Sequence, residues 1–213
     1  MQCFFMERDI MLGVTHSTFG VACALGGLIL TKQADPLIAG IAIASASVGA
    51  LSPDLDHPQA TLSRKNVVFG AISQVMSHLS SHRRFWHTIP ACMIFSAAYF
   101  GILYLLGSLI GTGMSGVTKV PDLMPYYIVA TIYFFVGAIS HLIADAMNPQ
   151  GSPLLFPIQM DLNKKVHIPI ICVETGSPGE LIYRTVFAIL VAILGYIYLV
   201  SLLHIDVMKL ILF

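Results

Sequence analysis

The sequence predicts an all-α fold: a polytopic membrane helix bundle of about five spanning helices plus one interfacial or re-entrant helix. Three observations lead there. Of 213 residues, 56% are hydrophobic and only 10% charged, where an average soluble domain is about 25% charged. The apolar residues gather in long uncharged stretches. Lipid solvates neither free charges nor unpaired backbone groups, so a helix is the natural way across it. The few charges collect between the stretches or at their ends, as Asp145 and Arg184 do. The length suits a single membrane-embedded domain over residues 1–213.

A spanning helix needs about 20 mostly apolar residues. The opening MQCFFMERD lacks the basic start and small-residue cleavage site of a signal peptide, so the first stretch, Met11 to Leu30, is expected to stay as a membrane helix. Pro36 to Leu51 is shorter but uncharged, and its Ala, Gly and Ser content favours close helix packing. It opens on Pro36, a good first helical residue, and stops before Ser52-Pro53. Asn66 to Ser80 is different. Val68, Ile72, Val75, Met76 and Leu79 recur at helical spacing among Ser73, Gln74, Ser77 and His78, which suits a helix at the interface or one re-entering partway. Phe85 to Ile110, Pro125 to Ala146 and Leu181 to Leu203 complete the spans. Between the last two, Met147 to Glu180 is punctuated by Pro and Gly and reads as an irregular, ordered loop. The four cysteines, Cys3, Cys23, Cys92 and Cys172, form no CxxC pair, so neither a disulfide framework nor a thiolate zinc site is expected.

Five spans make the loops alternate sides. Arg8, Arg64, Lys65, Arg83, Arg84, Lys164, Lys165 and Arg184 then share one side, and Lys32, Lys119 and Lys209 the other. The positive-inside rule puts the first side, and the N-terminus, in the cytoplasm. A full crossing by Asn66 to Ser80 would scramble this bias. The formal net charge is zero, so no nucleic-acid partner is expected.

The same bookkeeping places the ionisable residues. His16, Asp54, Asp56, His57, His82, His87, His141, Asp145 and Glu180 all fall at the cytoplasmic ends of spans, although they come from five parts of the chain. His141 and Asp145 are four apart in SHLIAD, on one helix face, a spacing that can grip one metal or simply make a His–Asp hydrogen bond. Asp54 and Asp56 sit in Ser52-Pro53-Asp54-Leu55-Asp56-His57-Pro58. An extended Asp-x-Asp would send both carboxylates to one side, where like charge is costly without a cation. The plain alternative is a polar turn in which one Asp caps a helix. His82-Arg83-Arg84-Phe85-Trp86-His87-Thr88 offers two imidazoles that a straight helix would point about 140° apart. They converge only if the helix begins between them. Arg83 and Arg84 could hold a phosphate or carboxylate, or serve only as a membrane anchor beside Trp86. His16 alone on an apolar helix would read as a packing histidine; its depth beside the others argues for a ligand. Glu180, in Ser177-Pro178-Gly179-Glu180, fits a capping box, with ligand or general base as the alternative. His78, His167 and His204 stand apart.

These motifs, His16-Ser-Thr-Phe-Gly, Leu51-Ser-Pro-Asp-Leu-Asp-His-Pro, His82-Arg-Arg-Phe-Trp-His-Thr and the run from Gly137 through Ser140-His-Leu-Ile-Ala-Asp-Ala-Met-Asn-Pro-Gln-Gly-Ser to Pro157, resemble the YdjM-like family of bacterial inner-membrane, metal-dependent hydrolases. Some members are described as regulated by the LexA repressor. The resemblance runs from His16 to Glu180 in the family's order. It implies a metal site carried by His16, Asp54, Asp56, His57, His82, His87, His141 and Asp145, and a hydrolytic activity. One motif departs: the family has Gly after the His-Arg and Thr-His-Ser at its end, where this chain has Arg84 and Trp86-His87-Thr88, without the hydroxyl before His87.

Mixed imidazole and carboxylate ligands suit Zn²⁺, Mn²⁺ or Fe²⁺ over Ca²⁺. Seven or eight ligands exceed the needs of one tetrahedral ion, so one or two divalent transition metal ions are expected, with Zn²⁺ foremost. Asp54, Asp56 or Glu180 would act as general base, and Arg83 and Arg84 would bind an anionic head group. A site at head-group depth makes a membrane lipid, such as a phospholipid or other phosphoester, the natural substrate. The rivals are a divalent metal transporter and a non-catalytic, metal-stabilised regulatory protein.

Overall fold

The computed structural model describes residues 12–57, 60, 63–64, 67–79, 85–113, 120–147, 151–154, 156–158, 160–166 and 178–202. Within them the chain is helical: α1 (Leu12–Leu30), α2 (Pro36–Gly49), α3 (Val67–Leu79), α4 (Ile89–Gly113), α5 (Val120–Ala146) and α6 (Pro178–Ser201). Two short 3₁₀ turns, Pro53–Asp56 and Phe85–His87, sit between them. The nearest thing to a strand is one antiparallel bridge, Ser152 to Val166. Five segments, Gly13–Leu30, Pro36–Asp56, Ile89–Ile110, Leu123–Ala146 and Pro178–Ser201, are long and apolar enough to cross a membrane.

The expected boundaries mostly hold. Pro36 is the first residue of α2, and Asp35 caps it by accepting from the N–H groups of Leu37 and Ile38 at 2.8 and 3.3 Å. Two starts differ. The fourth helix begins at Ile89 rather than Phe85, because Thr88 is its cap: its Oγ1 accepts from Ala91 N–H at 3.3 Å. The fifth begins at Val120 and carries Pro125 inside it rather than opening on it.

With 13 residues, α3 is about 20 Å long, short of a hydrocarbon core of about 30 Å. Val68, Ile72, Val75 and Leu79 form an exposed apolar row on it, while Ser73 and Met76 are buried. The helix packs on the Pro53–Asp56 turn, and Met76 O accepts from Trp86 Nε1 at 3.2 Å.

At the centre of the bundle α1, α2 and α5 pack on one another; α4 lies on α5 and α6 on α1. The α2–α5 crossing is close because glycines face backbone there. A Cβ on Gly49 would strike the Phe134 carbonyl, and one on Gly137 would strike the Ala46 carbonyl. Ser17 and Ser47 join α1 to α2 through their hydroxyls. One apolar cluster, Leu25, Leu28, Ala39, Ala42 and Tyr198, draws on the C-terminal part of α1, the N-terminal part of α2 and the C-terminal part of α6. The opposite end of the bundle is polar.

Candidate metal centre

That polar end is where α1 and α6 begin, α2 and α5 finish, and the Phe85–His87 turn leads into α4. His16, Asp54, Asp56, His87, His141 and Asp145 meet there. Five of the six side chains are no more than 2% exposed; Asp54 keeps 19%. Asp54 is thus the least buried of the six.

Its geometry starts from His141. Because the glycines draw α5 against α2, His141 Nδ1 comes within 2.7 Å of the Ala50 carbonyl. A carbonyl only accepts, so Nδ1 must carry a proton. In the neutral ring that leaves Nε2 as a bare acceptor. Nε2 finds no hydrogen-bond partner among the described residues. Asp54 Oδ1 and Asp145 Oδ2 each lie 3.5 Å from it. His87 Nε2 stands in the same relation, 3.5 Å from each of those oxygens. The four atoms alternate nitrogen and oxygen around a ring. Buried nitrogen and carboxylate atoms gathered this closely are stabilised by positive charge between them, which protons on the imidazoles or a metal ion could supply.

The spacing fits a metal. Two ligands of one tetrahedral ion, each at about 2.1 Å, stand about 3.4 Å apart. Asp54, His87 and His141 place ligand atoms within 4.8 Å of one another, and so do His16, His141 and Asp145. Mixed imidazole and carboxylate donors in this arrangement could hold a divalent transition metal. The His16 ring stacks on that of His141 with centroids 3.8 Å apart and planes 22° apart, and its Nε2 lies 3.6 Å from Asp145 Oδ1.

The Pro53–Asp56 segment departs from the extended form expected of it. It is a 3₁₀ turn with Ser52 in helical geometry, held by Ser52 Oγ donating to Gly49 O at 2.8 Å. At three residues per turn, Asp54 and Asp56 point in different directions. Asp54 faces the Nε2 atoms, whereas Asp56 Oδ2 lies 3.8 Å from His87 Nδ1. The two carboxylates thus lie near opposite nitrogens of His87 instead of sharing a side. His57 closes the turn: its N–H donates to Asp54 O at 2.9 Å, and its imidazole belongs to neither ligand group.

Glu180 is buried and accepts from Thr15 Oγ1 at 3.3 Å. It therefore joins α6 to the turn of α1 that carries His16, outside both ligand groups; its capping-box partner Ser177 lies outside the described residues. His82, Arg83 and Arg84 also lie outside them. The helix expected to begin between His82 and His87 begins beyond both, at Ile89, after the 3₁₀ turn Phe85–His87. Sequence reasoning missed the supports: the Ala50 carbonyl, Thr15, and Ser152, whose Oγ donates to His87 O at 3.4 Å. The Gly137 to Pro157 run, which contains Ser152, was the one available signal.

The chain matches the family described as YdjM inner membrane protein over residues 11–207. It is 30% identical over 170 residues to an uncharacterized protein, YvsG, of Bacillus subtilis (strain 168), covering 80% of this chain and 85% of that one. It is 27% identical over 173 residues to the inner membrane protein YdjM of Escherichia coli (strain K12), covering 78% of this chain and 73% of the relative. The YdjM protein of Shigella flexneri matches to the same extent. No solved structure matches the chain.

Proposed function

The chain belongs to the YdjM family of inner membrane proteins, and from that premise we propose that it is a metal-dependent hydrolase acting on a lipid-like phosphoester at the cytoplasmic face. The observation that carries this reading is His141, whose Nδ1 is committed to the Ala50 carbonyl while Nε2 faces two carboxylate oxygens at 3.5 Å. His87, His141, Asp54 and Asp145 would hold the ion, with Zn²⁺ the best match to the donors and Mn²⁺ or Fe²⁺ next. Such an ion, when bound, would supply a Lewis acid and, by expanding to a fifth ligand, an acidified water.

The chain's own groups do the rest. Asp54, the least buried of the six at 19% exposure, would be the ligand nearest an incoming substrate. Asp56 Oδ2, 3.8 Å from His87 Nδ1, would favour a proton on that nitrogen, and the Ala50 carbonyl would hold His141 through its Nδ1. Burial of the remaining ligands keeps bulk water from competing. Arg83 and Arg84 would bind the anionic head group.

A transport site sits near the midplane and is reached from both faces. Here the far end of α1, α2 and α6 is closed by Leu25, Leu28, Ala39, Ala42 and Tyr198, which favours an enzyme over a transporter. The test is incubation of the purified, metal-loaded protein with a mixed lipid extract, followed by mass spectrometry. One lipid class should fall as its hydrolysis product rises, with no change for Asp54→Ala or His141→Ala. Intact lipids in every sample, together with metal uptake into proteoliposomes, would replace the enzyme with the transporter.

A further inference from the structure

We propose that Asp145 is a bridge and that the cluster takes a second divalent ion at a separate subsite built on His16. The inference rests on the metal reading above and extends it. Its basis is how Asp145 divides its carboxylate. Oδ2 lies 3.5 Å from Nε2 of both His87 and His141. Oδ1 lies 3.6 Å from Nε2 of His16. The side chain is 1% exposed, so both oxygens are turned to protein groups, each toward a different set of imidazoles.

One ion cannot use both sets in the same way. The first is complete without His16: Asp54, His87, His141 and Asp145 Oδ2 already supply the usual number of donors for a tetrahedral site. The second group, His16 with His141 and Asp145, shares His141 with the first. His141 cannot serve twice, because Nδ1 is held by Ala50 and Nε2 faces Asp54 and Asp145 Oδ2. The second subsite therefore rests on His16 Nε2 and Asp145 Oδ1. Their separation of 3.6 Å is that of two ligands on one tetrahedral ion with bonds of about 2.2 Å.

The ring stack supports the same arrangement. His16 and His141 lie nearly parallel at 3.8 Å, so their Nε2 atoms are presented side by side to the two oxygens of one carboxylate. That is how ligands of adjacent ions flank a bridging carboxylate. With fewer protein donors than its neighbour, the His16 subsite is the weaker and fills second, leaving positions for water and substrate oxygen. A pair of ions can hold both the attacking and the leaving oxygen of a phosphoryl group, which accords with a phosphoester substrate.

The experiment uses the full chain, purified, stripped with chelator and titrated with Mn²⁺. Metal content is followed by elemental analysis and the Mn²⁺ spectrum by electron paramagnetic resonance. The wild type should take up about two equivalents, the second more weakly. An exchange-coupled signal should grow only as the second enters. His16→Ala should retain one equivalent and give only the spectrum of isolated Mn²⁺. His16→Asn, which keeps a polar side chain on α1, should do the same and stands in if the alanine variant fails to fold. A single equivalent in the wild type would overturn the proposal and leave His16 as a packing residue. Two coupled equivalents in either folded His16 variant would overturn it as well. A folded wild type that takes up none would remove the metal reading itself and this inference with it.

Discussion

His141 shows how much depends on the position of one proton. Its hydrogen bond to Ala50 O sets the tautomer, and the tautomer makes Nε2 an acceptor directed at Asp54 and Asp145. The roles of its neighbours separate by the same logic. Asp54 faces the Nε2 atoms, so Asp54→Asn should abolish tight metal binding. Asp56 faces the far nitrogen of His87, so Asp56→Asn should weaken metal affinity by about 10- to 100-fold, the usual cost of losing an outer-shell partner. Competition with a chelating dye would measure both. His57→Ala should leave metal content unchanged, since its imidazole lies in neither ligand group. The sequence made Asp54, Asp56 and His57 look equivalent, because four residues carrying three such side chains invite a common role. Their division into ligand, support and turn-closer follows from a 3₁₀ turn, which a Pro-flanked segment did not announce.

Between helices, the determining contact is the α2–α5 crossing. Gly49 and Gly137 each lie against the opposing backbone, and this approach brings Ala50 O within reach of His141. Gly137→Ala should cost about 1–3 kcal/mol, the usual penalty of overpacking, read as a lower thermal midpoint in detergent. It should also release metal, because α5 must retreat from α2. The sequence marked Pro36 to Leu51 as a close-packing helix from its small residues. Which glycine meets which carbonyl depends on the crossing and was not legible. The pattern from Asn66 to Ser80 was informative: α3 is a short helix with an exposed apolar row. Its hydrogen bond from Trp86 to Met76 O ties it to the turn bearing His87, a link that sequence spacing does not reveal.

Over the whole molecule, hydropathy carried most of the information. The five expected spans correspond to the five long apolar helices, and alternation of spans alone brought His16, Asp54, Asp56, His87, His141 and Asp145 to one end of the bundle. We propose that this end faces the cytoplasm, because the loops that alternation of spans puts on its side carry most of the Lys and Arg in the sequence. A fluorescent reporter active only in the cytoplasm should therefore light up when fused to the N-terminus and stay dark when fused to the C-terminus. The buried His and Asp side chains are proposed to hold metal. Elemental analysis of the purified, folded wild type after exhaustive dialysis tests this most directly. It should find at least about one tightly bound equivalent of a divalent transition metal, lost in His141→Ala; a folded wild type free of metal would contradict the account.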